Sequence, residues 1–117
     1  MSQSEHDRRI DYIEFTTKNV ADARRFYGQL FDWSFEDYGP EYTSFHDGRL
    51  AGGFSAGAGE KPSAPLVVIY AADLEAMAQR VVEAGGRIVR PAFSFPGGRR
   101  FHFTDPSGNE LAVWSEQ

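Results

Sequence analysis

Two stretches decide the fold: IDYIEFTTKNVADARRFYGQLF at residues 10–31 and LVVIYAADLEAMAQRVVEAGG at residues 66–86. They share few identical residues but the same order of signals. Each opens on β-branched and aromatic residues, which fit a pleated strand. An Asx residue follows, Asn19 in the first stretch and Asp73 in the second, placed to cap the helix that begins at the next residue. Apolar residues then recur at helical spacing, Val20, Ala23, Tyr27, Leu30 and Phe31 in one, Leu74, Met77, Val81 and Ala84 in the other. Gly85-Gly86 closes the second helix in the left-handed manner.

Three strands follow each helix. After the first they are predicted at residues 33–38, 42–46 and 50–55, divided by the turn signals Gly39-Pro40 and Asp47-Gly48. After the second they are predicted at residues 87–90, 99–104 and 110–114, divided by Pro96-Gly97-Gly98 and Asp105-Pro106-Ser107-Gly108. A strand, an Asx-capped helix and three strands thus occur twice. The predicted class is α+β: two tandem βαβββ modules, residues 10–55 and 66–115, within one domain spanning residues 10–117. Residues 56–65, rich in Gly, Ala, Ser and Pro, form the linker, and residues 1–9 form a disordered or extended tail. A four-stranded sheet with a helix on one face leaves the other face uncovered. Two modules are therefore expected to pair, within the chain or in a homodimer, forming a curved mixed sheet around a cavity.

Composition narrows the function. At 117 residues, with 41% hydrophobic content, the chain supports one core. The longest apolar run, residues 65–72, is far short of the roughly 18 residues of a membrane span. A polar, charged residues 1–9 predicts no secretory signal and a cytoplasmic location. The absence of cysteine removes disulfides, thiolate nucleophiles and sulfur-based metal sites. A net charge of -5 argues against nucleic acid as a partner, since that affinity comes mainly from Lys and Arg on phosphates.

The first module, with Phe26-Tyr27 and the ending Leu30-Phe31-Asp32-Trp33, resembles the vicinal oxygen chelate superfamily, which includes glyoxalases, bleomycin-resistance proteins and dioxygenases. The second resembles it more specifically, through Ala84-Gly85-Gly86, Pro91, Gly97-Gly98, Phe101 and Asp105-Pro106-Ser107-Gly108-Asn109. The resemblance implies a divalent ion held by His or Gln on the first strand, His on the fifth and Glu on the last, chelating two substrate oxygens. Carried over residue by residue, those positions fall on Tyr12, Val67 and Ala112, with a symmetric fourth position at Ala51 or Gly53. None of the aliphatic residues can ligate, and Tyr12 alone cannot hold an ion. The expectation is a protein without metal or other cofactor. A register slip of two residues would bring in Glu14 and Glu110 instead.

The same resemblance supplies the candidate residues. Glu14 shares a strand face with Tyr12, and a carboxylate in a partly apolar pocket can act as general base; its structural alternative is an ion pair with an Arg. His102 and Arg100, two apart, share a face, so His102 could move a proton and Arg100 hold an anionic oxygen; the alternative is a packing histidine beside a solvated Arg99-Arg100 pair. Trp114 and Ala112 share the inward face of the last strand, and Tyr70, Phe45 and Phe54 are further aromatics for a pocket, or plain core. His46 is expected to be exposed at a turn. Glu14, Tyr12 and His102 are thus the catalytic candidates, Arg100 and Trp114 the substrate-binding ones, and the partner is a small organic molecule. A protein that sequesters a drug-like ligand without catalysis is the competing expectation.

Overall fold

A computed structural model of the chain describes residues 3–56 and 64–117, and residues 57–63, most of the expected linker, lie outside them. The element order is β1 Arg9–Thr16, α1 Val20–Phe31, β2 Ser34–Asp37, β3 Tyr42–His46 and β4 Ala51–Ser55, then β5 Leu66–Tyr70, α2 Leu74–Glu83, β6 Arg87–Phe95, β7 Gly98–Thr104 and β8 Glu110–Ser115. The protein is α+β, with the βαβββ order occurring twice. The chain divides into two units, Tyr12–Leu66 and a second made of Met1–Asp11 with Val67–Gln117.

The repeat extends to strand order. In the first module the strands lie β1-β4-β3-β2, in the second β5-β8-β7-β6, and each module's first strand runs parallel to its last. The capping residues act as their positions predict. Asn19 accepts a hydrogen bond from the Asp22 N–H at 2.8 Å and Asp73 one from the Ala76 N–H at 3.0 Å, each satisfying a donor that the first helical turn leaves unpaired. Past α2, Gly85 takes φ +104°, a conformation open to glycine and costly elsewhere.

Each sheet buries one face under its own helix. Ala23 of α1 packs with Phe45 and Phe54, and Phe15, Tyr27, Trp33 and Phe35 pack around them. Leu74 of α2 packs with Ala71, Phe101 and Val113, and Met77, Val81 and Ile88 pack against them. Phe45 and Phe54 are therefore core. Leu30 and Phe31, predicted for the packed stripe of α1, remain 57% and 54% exposed at its last turn.

Three further differences from the sequence reading have local causes. Residues 3–6 form a 3-10 turn instead of an extended tail. The chain beyond it is held by the Asp7 carboxylate, which accepts from the Ala72 N–H at 2.9 Å, and by the Arg8 N–H, which donates to the Tyr70 carbonyl at 2.7 Å. β6 does not stop before Pro91 but runs on to Phe95, with register irregularities between Ile88 and Arg90 and between Arg90 and Phe93. Proline cannot donate to a ladder, yet an end strand with bulges accommodates it. Finally, Val67 pairs with Leu111, and it is Val68 that lies opposite Ala112. Val67 and Ala112 therefore lie on opposite faces of the sheet, where the sequence count puts them together.

Candidate functional site

In the first module, β1 pairs Tyr12 with Ala51 and Glu14 with Gly53, and β3 pairs Tyr42 with Ser55 and Ser44 with Gly53. Directly opposed residues point to the same face, so Tyr12, Glu14 and Tyr42 share the face away from α1. There they form a chain. The Tyr42 hydroxyl donates to Glu14 Oε2 at 3.1 Å, and the hydroxyls of Tyr12 and Tyr42 are hydrogen-bonded to each other. A phenol has one proton, and Tyr42 gives its own to Glu14, so Tyr12 is the donor in the second bond. Burial, with Tyr12 and Glu14 beside it, pushes the Tyr42 phenol far above its ordinary value, so it stays protonated.

Gly53 makes this chain possible. A Cβ at Gly53 would lie closer to both tyrosine hydroxyls than van der Waals contact allows, as one at Gly52 would to the Phe45 ring and the Ile13 carbonyl. Tyr42 is the functional candidate that sequence reasoning missed. The signal was the Gly52-Gly53 pair on the neighbouring strand, where missing side chains leave room for large ones across the ladder.

The second module brings together Arg100, His102 and Trp114. Arg100 pairs with Phe93 on β6 and with Trp114 on β8, while His102 pairs with Arg90 and Ala112. These residues occupy the face away from α2. His102 is 4% exposed, and its Nδ1 lies 2.9 Å from Glu110 Oε2. With the carboxylate accepting from Nδ1–H, Nε2 carries the lone pair; it is buried without a hydrogen-bond partner among the described residues. Burial lowers the His102 pKa, the Glu110 hydrogen bond opposes this, and the guanidinium groups of Arg100 and Arg90 add to the lowering. The imidazole is therefore neutral at neutral pH.

Trp114 donates its indole N–H to Asp11 Oδ2 at 2.9 Å and meets Tyr70 edge-on at 5.3 Å. Burial and the Glu116 carboxylate push the Tyr70 phenol up to about 12. Arg99 and Arg100 do not form a solvated pair, because adjacent strand residues face opposite ways. Arg99 binds Glu75 at 2.6 Å, and Arg100 lies toward Phe93 and Phe95. His46 is exposed, as expected. Asp105 accepts from the N–H groups of Ser107 and Asn109, both at 2.9 Å, which makes the Asp-Pro-Ser-Gly-Asn segment a tight hairpin turn.

Thus the expected site residues fall into two sets, Tyr12 and Glu14 in one unit, Arg100, His102 and Trp114 in the other. Among the described residues no helix is long and apolar enough to cross a membrane.

The sequence profile of the Glyoxalase/Bleomycin resistance protein/Dioxygenase superfamily matches residues 9–113. The chain belongs to this superfamily. "Putative glyoxylase CFP32" of Mycobacterium bovis is 28% identical over 89% of this chain, and the match spans 44% of that protein, less than half its length. Among solved structures, a superfamily member from Vibrio splendidus 12B01 aligns with a TM-score of 0.70 at 16% identity, over 92% of this chain and 98% of the other. The Mn(II)-bound glyoxalase from Novosphingobium aromaticivorans aligns with a TM-score of 0.66 at 16% identity, over 92% of this chain and 38% of that one. These two likenesses concern the fold.

The metal that the superfamily implies does not fit the donors present. Tyr12 is committed to Tyr42, and Val67, its neighbour Val68, Ala112, Ala51 and Gly53 offer no side-chain ligand. The carboxylates that a two-residue slip would recruit are engaged, Glu14 with Tyr42 and Glu110 with His102. No group of three His, Asp or Glu side chains is arranged to hold an ion among the described residues.

Proposed function

We propose that this superfamily member binds a small organic molecule and acts on it without a divalent metal. The observation that carries this reading is the phenol–phenol–carboxylate chain Tyr12–Tyr42–Glu14, in which Tyr42 on β3 joins two residues of β1, the strand on which the superfamily resemblance implies a metal ligand. Such a chain moves protons. A proton taken by Tyr12 from a bound molecule passes as Tyr12 gives its own to Tyr42 and Tyr42 gives its own to Glu14, leaving a neutral carboxylic acid. In the second module Arg100 is the anion-holding group, His102 a neutral base oriented by Glu110, and Trp114 an apolar wall.

The competing function, sequestration of a ligand without turnover, is favoured by the aromatic surface of Phe93, Phe95 and Trp114, which needs no catalytic group. A homodimer belongs to the same proposal, supported by Phe26, Leu30 and Phe31, 56%, 57% and 54% exposed on α1.

Elemental analysis of protein purified without chelator tests the metal-free reading. The expected content of Mn, Fe, Co, Ni and Zn is far below stoichiometric; one equivalent of any of them overturns it.

A further inference from the structure

His102 is 4% exposed, and its Nε2 is buried without a hydrogen-bond partner among the described residues. Glu110 Oε2, 2.9 Å from Nδ1, accepts the proton there, so the unpaired atom is an acceptor whose lone pair has a fixed direction. Buried polar groups are nearly always paired, because an acceptor stripped of water and given no donor is costly. The surroundings on that face of the second module's sheet are aromatic and cationic. Phe93 stands there because β6 continues past Pro91, and its ring centroid lies 5.9 Å from that of His102, the two rings tilted by 37°. The Arg90 guanidinium carbon lies 4.0 Å from the centroid of the same Phe93 ring, and Arg90 is directly opposite His102 in the ladder.

From this arrangement we propose that the second module binds a phenol, an aromatic ring whose hydroxyl donates to His102 Nε2 while the ring lies against Phe93. The inference rests on the metal-free small-molecule reading and names its ligand class. The chemistry of the unpaired atom selects that class. A carboxylate has no proton to give at neutral pH and would set one acceptor against another. An ammonium group has protons but places a second cation beside Arg90. A hydroxyl brings the proton without the charge, and its oxygen grows more negative as it donates, which the Arg90 guanidinium favours. A phenol does this better than an aliphatic alcohol because it is the stronger acid, and its ring adds an aromatic pair with Phe93. Since Nε2 is enclosed, a side chain has to move for the ligand to reach it. Phe93 is the group placed to do so: half-buried and ring to ring with His102, it stands on an end strand whose register is irregular on both sides of Arg90.

The test is a titration of the isotope-labelled full chain, in EDTA at neutral pH, with 4-methylphenol, beside 4-fluorotoluene, which has nearly the same shape and no proton to give, and 4-methylbenzoate. The readout is the His102 Nε2 resonance in the nitrogen nuclear magnetic resonance spectrum, resolved from those of His6 and His46. Saturable binding of 4-methylphenol is expected, moving this resonance from the unbonded toward the hydrogen-bonded position. 4-Fluorotoluene should bind about tenfold more weakly and leave it in place, since it buries the acceptor unmatched. His102→Phe removes the acceptor and should abolish the preference for the phenol; if that variant is unstable, the comparison of ligands on the native chain decides. Equal affinity for 4-methylphenol and 4-fluorotoluene, saturation by 4-methylphenol with Nε2 unmoved, an equal movement with 4-methylbenzoate, or a preference kept in folded His102→Phe overturns the assignment. Failure of 4-methylphenol to bind overturns it while leaving the metal-free reading intact. Stoichiometric uptake of Mn(II) by chelator-stripped protein overturns the latter whatever the phenol does.

Discussion

His102 shows how much of a residue's chemistry comes from its surroundings. As a histidine beside an arginine pair it could be read either as a proton-transfer group or as packing. The fold makes it a buried base whose tautomer is set by Glu110, and whose pKa is lowered first by burial. The consequence for stability has a definite sign. Above the ordinary histidine value of 6.5, native and unfolded chains both hold the ring neutral and the site contributes no pH dependence. Below it the unfolded chain takes up a proton that the native chain resists, so stability falls as pH falls, until the lowered native pKa is reached. Thermal melts between about pH 7 and pH 5 should therefore lose stability with acidification less steeply in His102→Gln than in the native protein. Identical slopes would show that His102 titrates in the folded chain as it does in the unfolded one.

At the scale of elements, the ladder decides which side chains meet. Gly53 on β4 lies between Glu14 on β1 and Ser44 on β3, and its missing side chain is the space that the two tyrosine hydroxyls fill. Gly53→Ala should cost about 1–3 kcal/mol of stability, the usual range for overpacking. It should also part Tyr12 from Tyr42, so the alkaline absorbance titration near 295 nm should show a tyrosine moving back toward its ordinary pKa. An unchanged titration would place the Tyr12–Tyr42 contact elsewhere. The helices, their Asx caps and the twofold order of elements were legible in the sequence because each is a local signal: Asn19 and Asp73 need only the next three residues to act. Tyr42 and Phe93 were not legible, because their importance depends on register with strands distant in sequence. Pro91 actively misled, since the rule that proline ends a strand is relaxed on an end strand with bulges.

For the whole molecule, the profile match over residues 9–113 places the chain in its superfamily, and the twofold repeat of strand order accords with it. The positions counted for a metal from the sequence, Tyr12, Val67 and Ala112, include two that the register puts on opposite faces of their sheet, since Val67 lies opposite Leu111 and Val68 opposite Ala112. What the counting could not supply was the replacement chemistry, because a chain of two phenols and a carboxylate exists only once three strands are aligned. The most direct test of metal-free function is a titration of Mn(II) into chelator-stripped protein, followed by the electron paramagnetic resonance signal of the free ion. The metal-free reading predicts that the signal rises in proportion to added Mn(II), as in buffer alone. A one-equivalent lag before the free-ion signal appears would contradict it.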